Sequence, residues 1–302
     1  MLVLGAQVLI GASYRVAFQM EYEKLSPLLK AVHASGLTLM LIVLALLLLT
    51  GPYHQIAERG QDTEDLRSTA SRIMELALVP FAFGIGAHLF SLGENALGRP
   101  AAAAVAAGGV LAALGFWYAL GLIAKRRKSP QERVDPMSSE KQEQQGRTSV
   151  KDRIDQVLTE ARVILPGAQA LLGFQFIAML SESFTKLPQS SKLLHVGSLA
   201  AVALATVLLM TPAAYHRIVE NGEATEDFYR VACRLILSSL VPLALGLSGD
   251  FFVVLDKVSE SKLPALAGSL GMLALFLGCW FGLTFFQRVR QRGQPELQLA
   301  RA

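Results

Sequence analysis

The sequence is poor in the residues that most often carry chemistry. Its 302 residues include 2 cysteines and 5 histidines. Cys233 and Cys279 lie inside apolar runs with no metal-ligand spacing between them, so they read as packing residues. No Gly-rich phosphate loop, nucleophile elbow, zinc spacing or pair of catalytic carboxylates is present. An enzyme is therefore not expected, and no cofactor or metal is implied. Charged residues make up only 17% of the chain and crowd into short segments, leaving long stretches without charge. The net charge of +4 is accounted for by basic segments drawn to anionic lipid headgroups, without nucleic acid as a partner.

Apolar residues fill the space this leaves. They amount to 52%, a membrane composition that makes the lipid bilayer the first expected partner. The chain also repeats itself at a constant shift of 162 residues. Tyr53, His54, Ile56, Glu58, Gly60, Thr63, Glu64, Asp65, Ala70 and Arg72 recur as Tyr215, His216, Ile218, Glu220, Gly222, Thr225, Glu226, Asp227, Ala232 and Arg234. Ten matches within twenty positions point to an internal duplication. The repeated stretch reads locally as a helix-turn-helix corner. Gly60 and Gly222 suit the left-handed end of one helix, Thr63 and Thr225 the N-cap of the next, and Glu64-Asp65 and Glu226-Asp227 its first turn.

The fold class expected is all-α, with eight transmembrane helices in two four-helix units. The first unit covers residues 1–124, with spans at Met1–Met20, Ala31–Pro52, Thr69–Leu92 and Ala101–Ala124. Met1–Met20 has no basic n-region, and its Gly5-Ala6-Gln7 recurs as Gly167-Ala168-Gln169, so it reads as a retained span and not a signal peptide. Residues 125–149 form a polar, basic linker expected to be disordered. The second unit, 150–290, opens with an amphipathic helix, Val150–Arg162, expected to lie along the membrane surface. Its spans are Val163–Leu180, Leu194–Ala214, Val231–Leu255 and Leu263–Phe286, followed by a tail, 291–302. The first unit lacks a counterpart of the amphipathic helix, so it was lost or the true start lies upstream of Met1. Basic residues in the linker, the corners and the tail place both termini in the cytoplasm. Four spans per copy then make the repeats parallel, related by an axis along the membrane normal.

Gly167-Ala168-Gln169 opening a span, Thr211-Pro212-Ala213-Ala214-Tyr215-His216-Arg217 closing the next, and Ala232-x-Arg234 starting the third resemble a bacterial four-span membrane family of unknown function. Its members are often named sodium:proton antiporters automatically. The resemblance covers residues 150–290 and implies a bacterial inner-membrane location and transport of protons or monovalent cations. The first copy is more divergent, with Gln55 where the second has Arg217.

Candidate functional residues are the polar ones at membrane depth, where they are costly. His88 and Asp250 occupy equivalent positions in the third spans and form a candidate proton- or ion-handling pair across the two copies. Arg72 and Glu75 lie three apart on one helix face, and Arg234 repeats Arg72. Gln7 and Gln169 read as interhelical hydrogen bonders, and Arg15 as a snorkelling side chain. Tyr53-His54 and Tyr215-His216-Arg217 form a cytoplasmic interface motif, and His33 and His195 read as interface anchors near the outer ends. Pro80 and Pro242, each followed four residues on by Gly84 or Gly246, are candidate kinks. Two readings follow: a secondary transporter or ion-handling protein, or a non-transporting membrane scaffold or envelope protein. A water-filled cavity reaching His88 and Asp250 favours the first, and a dry, close-packed bundle the second.

Overall fold

A computed structural model describes residues 1–119, 149–220, 223–259 and 261–299. The linker expected at 125–149, apart from residue 149, lies outside the described residues, as do Gly222 and the last three residues of the tail. The described chain is helical. Helix α1 is Leu2–Ala17, α2 a single turn at Met20–Glu23, α3 Pro27–Pro52 with a π-helical turn at Tyr53–Ala57, α4 Glu64–Leu97, and α5 Arg99–Leu114 with a π-helical turn at Gly115–Ala119. The order then recurs: α6 Val150–Met179, α7 Glu182–Thr185, α8 Gln189–Ile218, α9 Glu226–Ser259 and α10 Lys262–Leu277 with a π-helical turn at Gly278–Leu283. Helix α11, Thr284–Leu299, closes the described chain. Both ends of α9 fall 162 residues after those of α4, and both ends of α7 the same distance after those of α2.

Among the described residues, seven helices are long and apolar enough to cross a membrane. Helix α1, with 16 residues, is shorter. At 1.5 Å per residue it extends roughly 24 Å, against about 30 Å of hydrocarbon. Large apolar side chains such as Leu76, Phe83, Val207, Leu270 and Phe286 point outward, which suits lipid and not water. This is the fold class of an all-α membrane protein.

The corner forms as its local chemistry dictates. Gly60 takes φ +73° after Arg59 at +54°, a left-handed turn that only glycine adopts without strain. Thr63 Oγ1 accepts from the Leu66 amide at 3.1 Å, and Thr225 Oγ1 from Phe228 at 3.1 Å. Each threonine hydroxyl also donates across the corner, to Glu58 and Glu220 at 3.0 Å. The repeated Thr-Glu-Asp triplet is thus a capping device. A Cβ on Gly60 would also collide with the Tyr229 hydroxyl, because the first corner packs on the start of α9.

One expectation is corrected. Val150–Arg162 does not form a separate helix along the surface, because α6 runs unbroken from Val150 through Pro166 to Met179. Pro80 and Pro242 sit inside the continuous helices α4 and α9. The glycines after them serve close packing. A Cβ on Gly84 would meet Met40, and one on Gly246 would meet Val202 and the Ser198 carbonyl, the same crossing in each copy. The copies interlock through α1 against α6, through Tyr14, whose hydroxyl donates to the Leu247 carbonyl (2.7 Å), and through Trp280, whose Nε1–H donates to Ala45 (2.9 Å).

Two predictions test this corner. Thr63→Ala and Thr225→Ala should each lower stability by about 1 kcal/mol, read as a fall in melting temperature of the purified protein, with Ser restoring most of it. Arg67 holds the Asp62 carboxyl below the usual carboxylate range, through hydrogen bonds of 2.6 and 3.1 Å. The stability this supplies is present above the ordinary carboxylate pKa of about 4 and fades as acid takes the pH through the depressed value. Because Arg67 is 63% exposed, Asp62→Asn should cost under about 1 kcal/mol at neutral pH and nothing in strong acid.

Candidate functional site

Two polar clusters lie inside the bundle, built from equivalent positions of the two copies. In the second, Asp250 on α9 meets His195 on α8 and Gln175 on α6. His195 Nδ1 lies 2.8 Å from Asp250 Oδ1, and Gln175 Nε2 donates to Oδ2 at 2.7 Å. Asp250 and His195 are both fully buried. His195 Nε2 is 3.2 Å from the Gln175 carbonyl, a pure acceptor, so that nitrogen carries a hydrogen. The remaining proton in the His195–Asp250 bond can then sit on either partner, as an ion pair or as a neutral pair, with every bond retained. Phe18 and Phe184 pack on the imidazole at ring distances of 4.8 and 5.5 Å and seal the site.

The first copy places Ser13, His33 and His88 at the matching positions. His33 Nε2 donates to the Ser13 carbonyl at 3.2 Å, the same bond as in the second copy. His88 Nδ1 donates to the Gly84 carbonyl at 2.8 Å, and its Nε2 meets the Ser13 hydroxyl. Tyr22 packs on His33 at 5.3 Å, where Phe184 packs on His195. Among the described residues, no carboxylate is bonded into this cluster. A cavity of about 190 Å³ reaches it, lined in part by Ser13, His33, His88 and Ser91, and a neighbouring one of about 130 Å³ extends past Glu21.

His88 and Asp250 therefore do not pair with each other, since each faces the second and first spans of its own copy. His33 and His195 are not interface anchors either; their exposures are 3% and 0%. The signal that could have found the clusters is the 162-residue shift itself, which relates Ser13 to Gln175 and His33 to His195. That residues of different type occupy two of the three paired positions hid it.

The remaining candidates scatter. Arg15, Arg72, Glu75 and Arg234 are exposed, and no ion pair joins Arg72 to Glu75 among the described residues. Gln7 is fully buried, yet its amide finds no hydrogen-bond partner, because it fills the space left by Gly167. Gln169 is exposed. The Tyr-His motif also divides. Tyr215 and His216 are half-buried against Phe228, at ring distances of 6.2 and 4.6 Å, and Arg217 is exposed. Tyr53 and His54, in contrast, are buried, and His54 Nδ1 pairs with Glu160 Oε1 of α6 at 2.7 Å, while Gln55 Nε2 donates to the other carboxylate oxygen. The amphipathic spacing of Val150–Arg162 puts Glu160 on its polar face. Its partners stand more than a hundred residues away, so no local pattern could reveal them.

An apolar helical bundle with buried His-centred clusters at matching positions is the architecture of an all-α membrane protein. The chain belongs to the family of unknown function DUF6328, which it matches over residues 1–121 and again over 143–284. No curated protein and no solved structure matches it.

The His195–Asp250 pair makes a sharp stability prediction. His195→Ala leaves a buried carboxylate with one donor fewer and should cost about 3–5 kcal/mol. Replacing His195, Asp250 and Gln175 together by leucine should cost much less, measured by thermal unfolding in detergent.

Proposed function

We propose that this chain is a proton-handling secondary transporter whose protonatable centre is the Asp250–His195 pair. The observation that supports this most is the pair itself, fully buried and bonded so that its proton has two places to sit. Ionisable groups at membrane depth are retained at a cost, which makes such a pair a functional site by default. In this reading the chain has eight spans, α1 included, as two parallel four-helix repeats in a bacterial inner membrane with both termini cytoplasmic. Cation/proton antiport is the form of coupling, the basic linker lies on anionic lipid, and nucleic acid and enzymatic turnover have no part.

A second reading, a non-transporting scaffold or envelope protein, is favoured by one specific observation. Phe18, Phe184 and Gln175 close the Asp250 cluster, whereas the cavity reaches His88 of the uncharged one. Transport then requires Phe18, at the end of α1, to move.

Proton and sodium flux in proteoliposomes separates the two. Sodium-dependent proton movement that falls at least tenfold with Asp250→Asn, and less with His88→Ala, supports the transporter. Background flux for wild type and both variants, each confirmed folded, supports the scaffold.

A further inference from the structure

We infer that Glu160 forms the anionic end of a binding site for an amphipathic organic cation, a primary ammonium carried on an apolar body. This site is separate from the Asp250 cluster and does not rest on its handling protons.

Two clefts meet at Glu160. One, of about 470 Å³, is polar where it passes His54, Gln156, Thr159 and Asp155. The other, of about 440 Å³, is walled by Leu47, Leu48, Ile73, Met74, Val163 and Ile164. Thr50, Gly51, Ala70, Thr159 and Glu160 belong to both. The wall of α3 runs close beside the carboxylate, where a Cβ added at Gly51 would lie 3.5 Å from Glu160 Oε2, an ordinary contact. The apolar cleft has the volume of a small-molecule site and a carboxylate at its junction with the polar one.

The hydrogen-bond inventory at that junction says what is missing. His54 Nδ1 donates to Glu160, which leaves Nε2 of a neutral imidazole as an acceptor, and that atom is buried without a partner. Gln55 spends its amide N–H on the other Glu160 oxygen, leaving its Oε1 buried and unpartnered, and Gln156 Oε1 is in the same condition. With His54 neutral, two unused acceptors, His54 Nε2 and Gln156 Oε1, belong to side chains that line the polar cleft beside this carboxylate, and Gln55 Oε1 is a third on a side chain bonded to it. Unmet acceptors at this depth are costly, so the natural complement is a group that brings donors and positive charge together. Arg67, which lines the polar cleft, is held by Asp62 at 2.6 Å, and Asp155 adds negative charge on that side, while Met1 lies at the apolar cleft. A metal ion fits less well, because only one carboxylate faces the junction and the apolar wall would stay empty. An ammonium on a ring or chain satisfies both halves, whether it arrives as a free amine or as the headgroup of an aminophospholipid.

The probe is 1-naphthylmethylammonium, titrated calorimetrically into the full chain in detergent, with the isosteric neutral alcohol 1-naphthylmethanol beside it. Saturable binding of the ammonium, weakened at least tenfold in Glu160→Gln and at least tenfold weaker for the alcohol, supports the site. Glu182→Gln, which removes an exposed carboxylate elsewhere, should leave binding unchanged. Val163→Trp narrows the apolar cleft without touching the carboxylate and should weaken the ammonium as well, so the test stands even where Glu160→Gln fails to fold. In nanodiscs, weaker apparent binding with phosphatidylethanolamine present than with phosphatidylcholine alone names the lipid headgroup as the occupant, and equal binding names the free amine. Absent saturable binding, or equal binding of ammonium and alcohol, overturns the proposal. So does equal affinity of wild type and Glu160→Gln, because a His54 imidazolium would then already neutralise the carboxylate.

Discussion

A carboxylate can be held among apolar helices only where donors meet its charge, and in this chain that condition shapes the arrangement of three helices. Asp250 sits on α9, and its donors come from α8 and α6, with His195 at 2.8 Å and Gln175 at 2.7 Å. Those helices must therefore hold their register to within a fraction of a residue. Gly246, one turn before Asp250, lets α9 approach α8 so closely that an added Cβ would meet the Ser198 carbonyl. Ser198 is three residues after His195 on the same face of α8, so the glycine crossing delivers the histidine to the carboxylate. Small residues commonly allow such approach in membrane helices, where packing and buried hydrogen bonds do the work that water does elsewhere.

The first copy keeps the crossing and changes the chemistry. Gly84 sits against Met40 as Gly246 sits against Val202, and His33 bonds the Ser13 carbonyl as His195 bonds that of Gln175. With His88 in place of Asp250, no charge needs to be met, and a serine hydroxyl suffices where an amide was required. The 162-residue correspondence thus gives one frame with a closed cluster that holds a carboxyl group and a second cluster, built on histidines and a serine, next to a cavity. The interlock of the copies binds the two together: the Phe18 ring that covers His195 belongs to the first copy, and Lys257 of the second donates to the carbonyl beside it, that of Ala17, at 3.0 Å.

What was legible in the sequence is what local chemistry determines. The corner could be read because a left-handed glycine and an N-capping threonine act over a few residues, and Gly60 and Thr63 do what their types suggest. The long apolar helices could be read from run length alone. The clusters could not, because a helix that is apolar on every side gives no periodicity to say which face is inward. His195 therefore looked like a residue near a span end, although it has no exposed surface. Glu160 misled for the opposite reason. Its segment has clear amphipathic spacing, and Lys151 and Asp155 are exposed as that spacing implies, but Glu160 turns onto the His54 corner of the other copy. Pro166 does not break α6, because a single missing N–H does not end a helix that tertiary packing supports on both sides.

The central claim is that the proton in the His195–Asp250 bond is exchangeable, and infrared difference spectroscopy reads it directly. Spectra of the protein in lipid, taken between two pH values and with Asp250→Asn as the reference, isolate the carboxyl group of this residue. The expected result is a carboxyl band that changes with pH in the wild type and vanishes from the difference spectrum of Asp250→Asn. Identical difference spectra for the two proteins would show that Asp250 keeps one protonation state throughout, and the pair would then be a structural tie between helices.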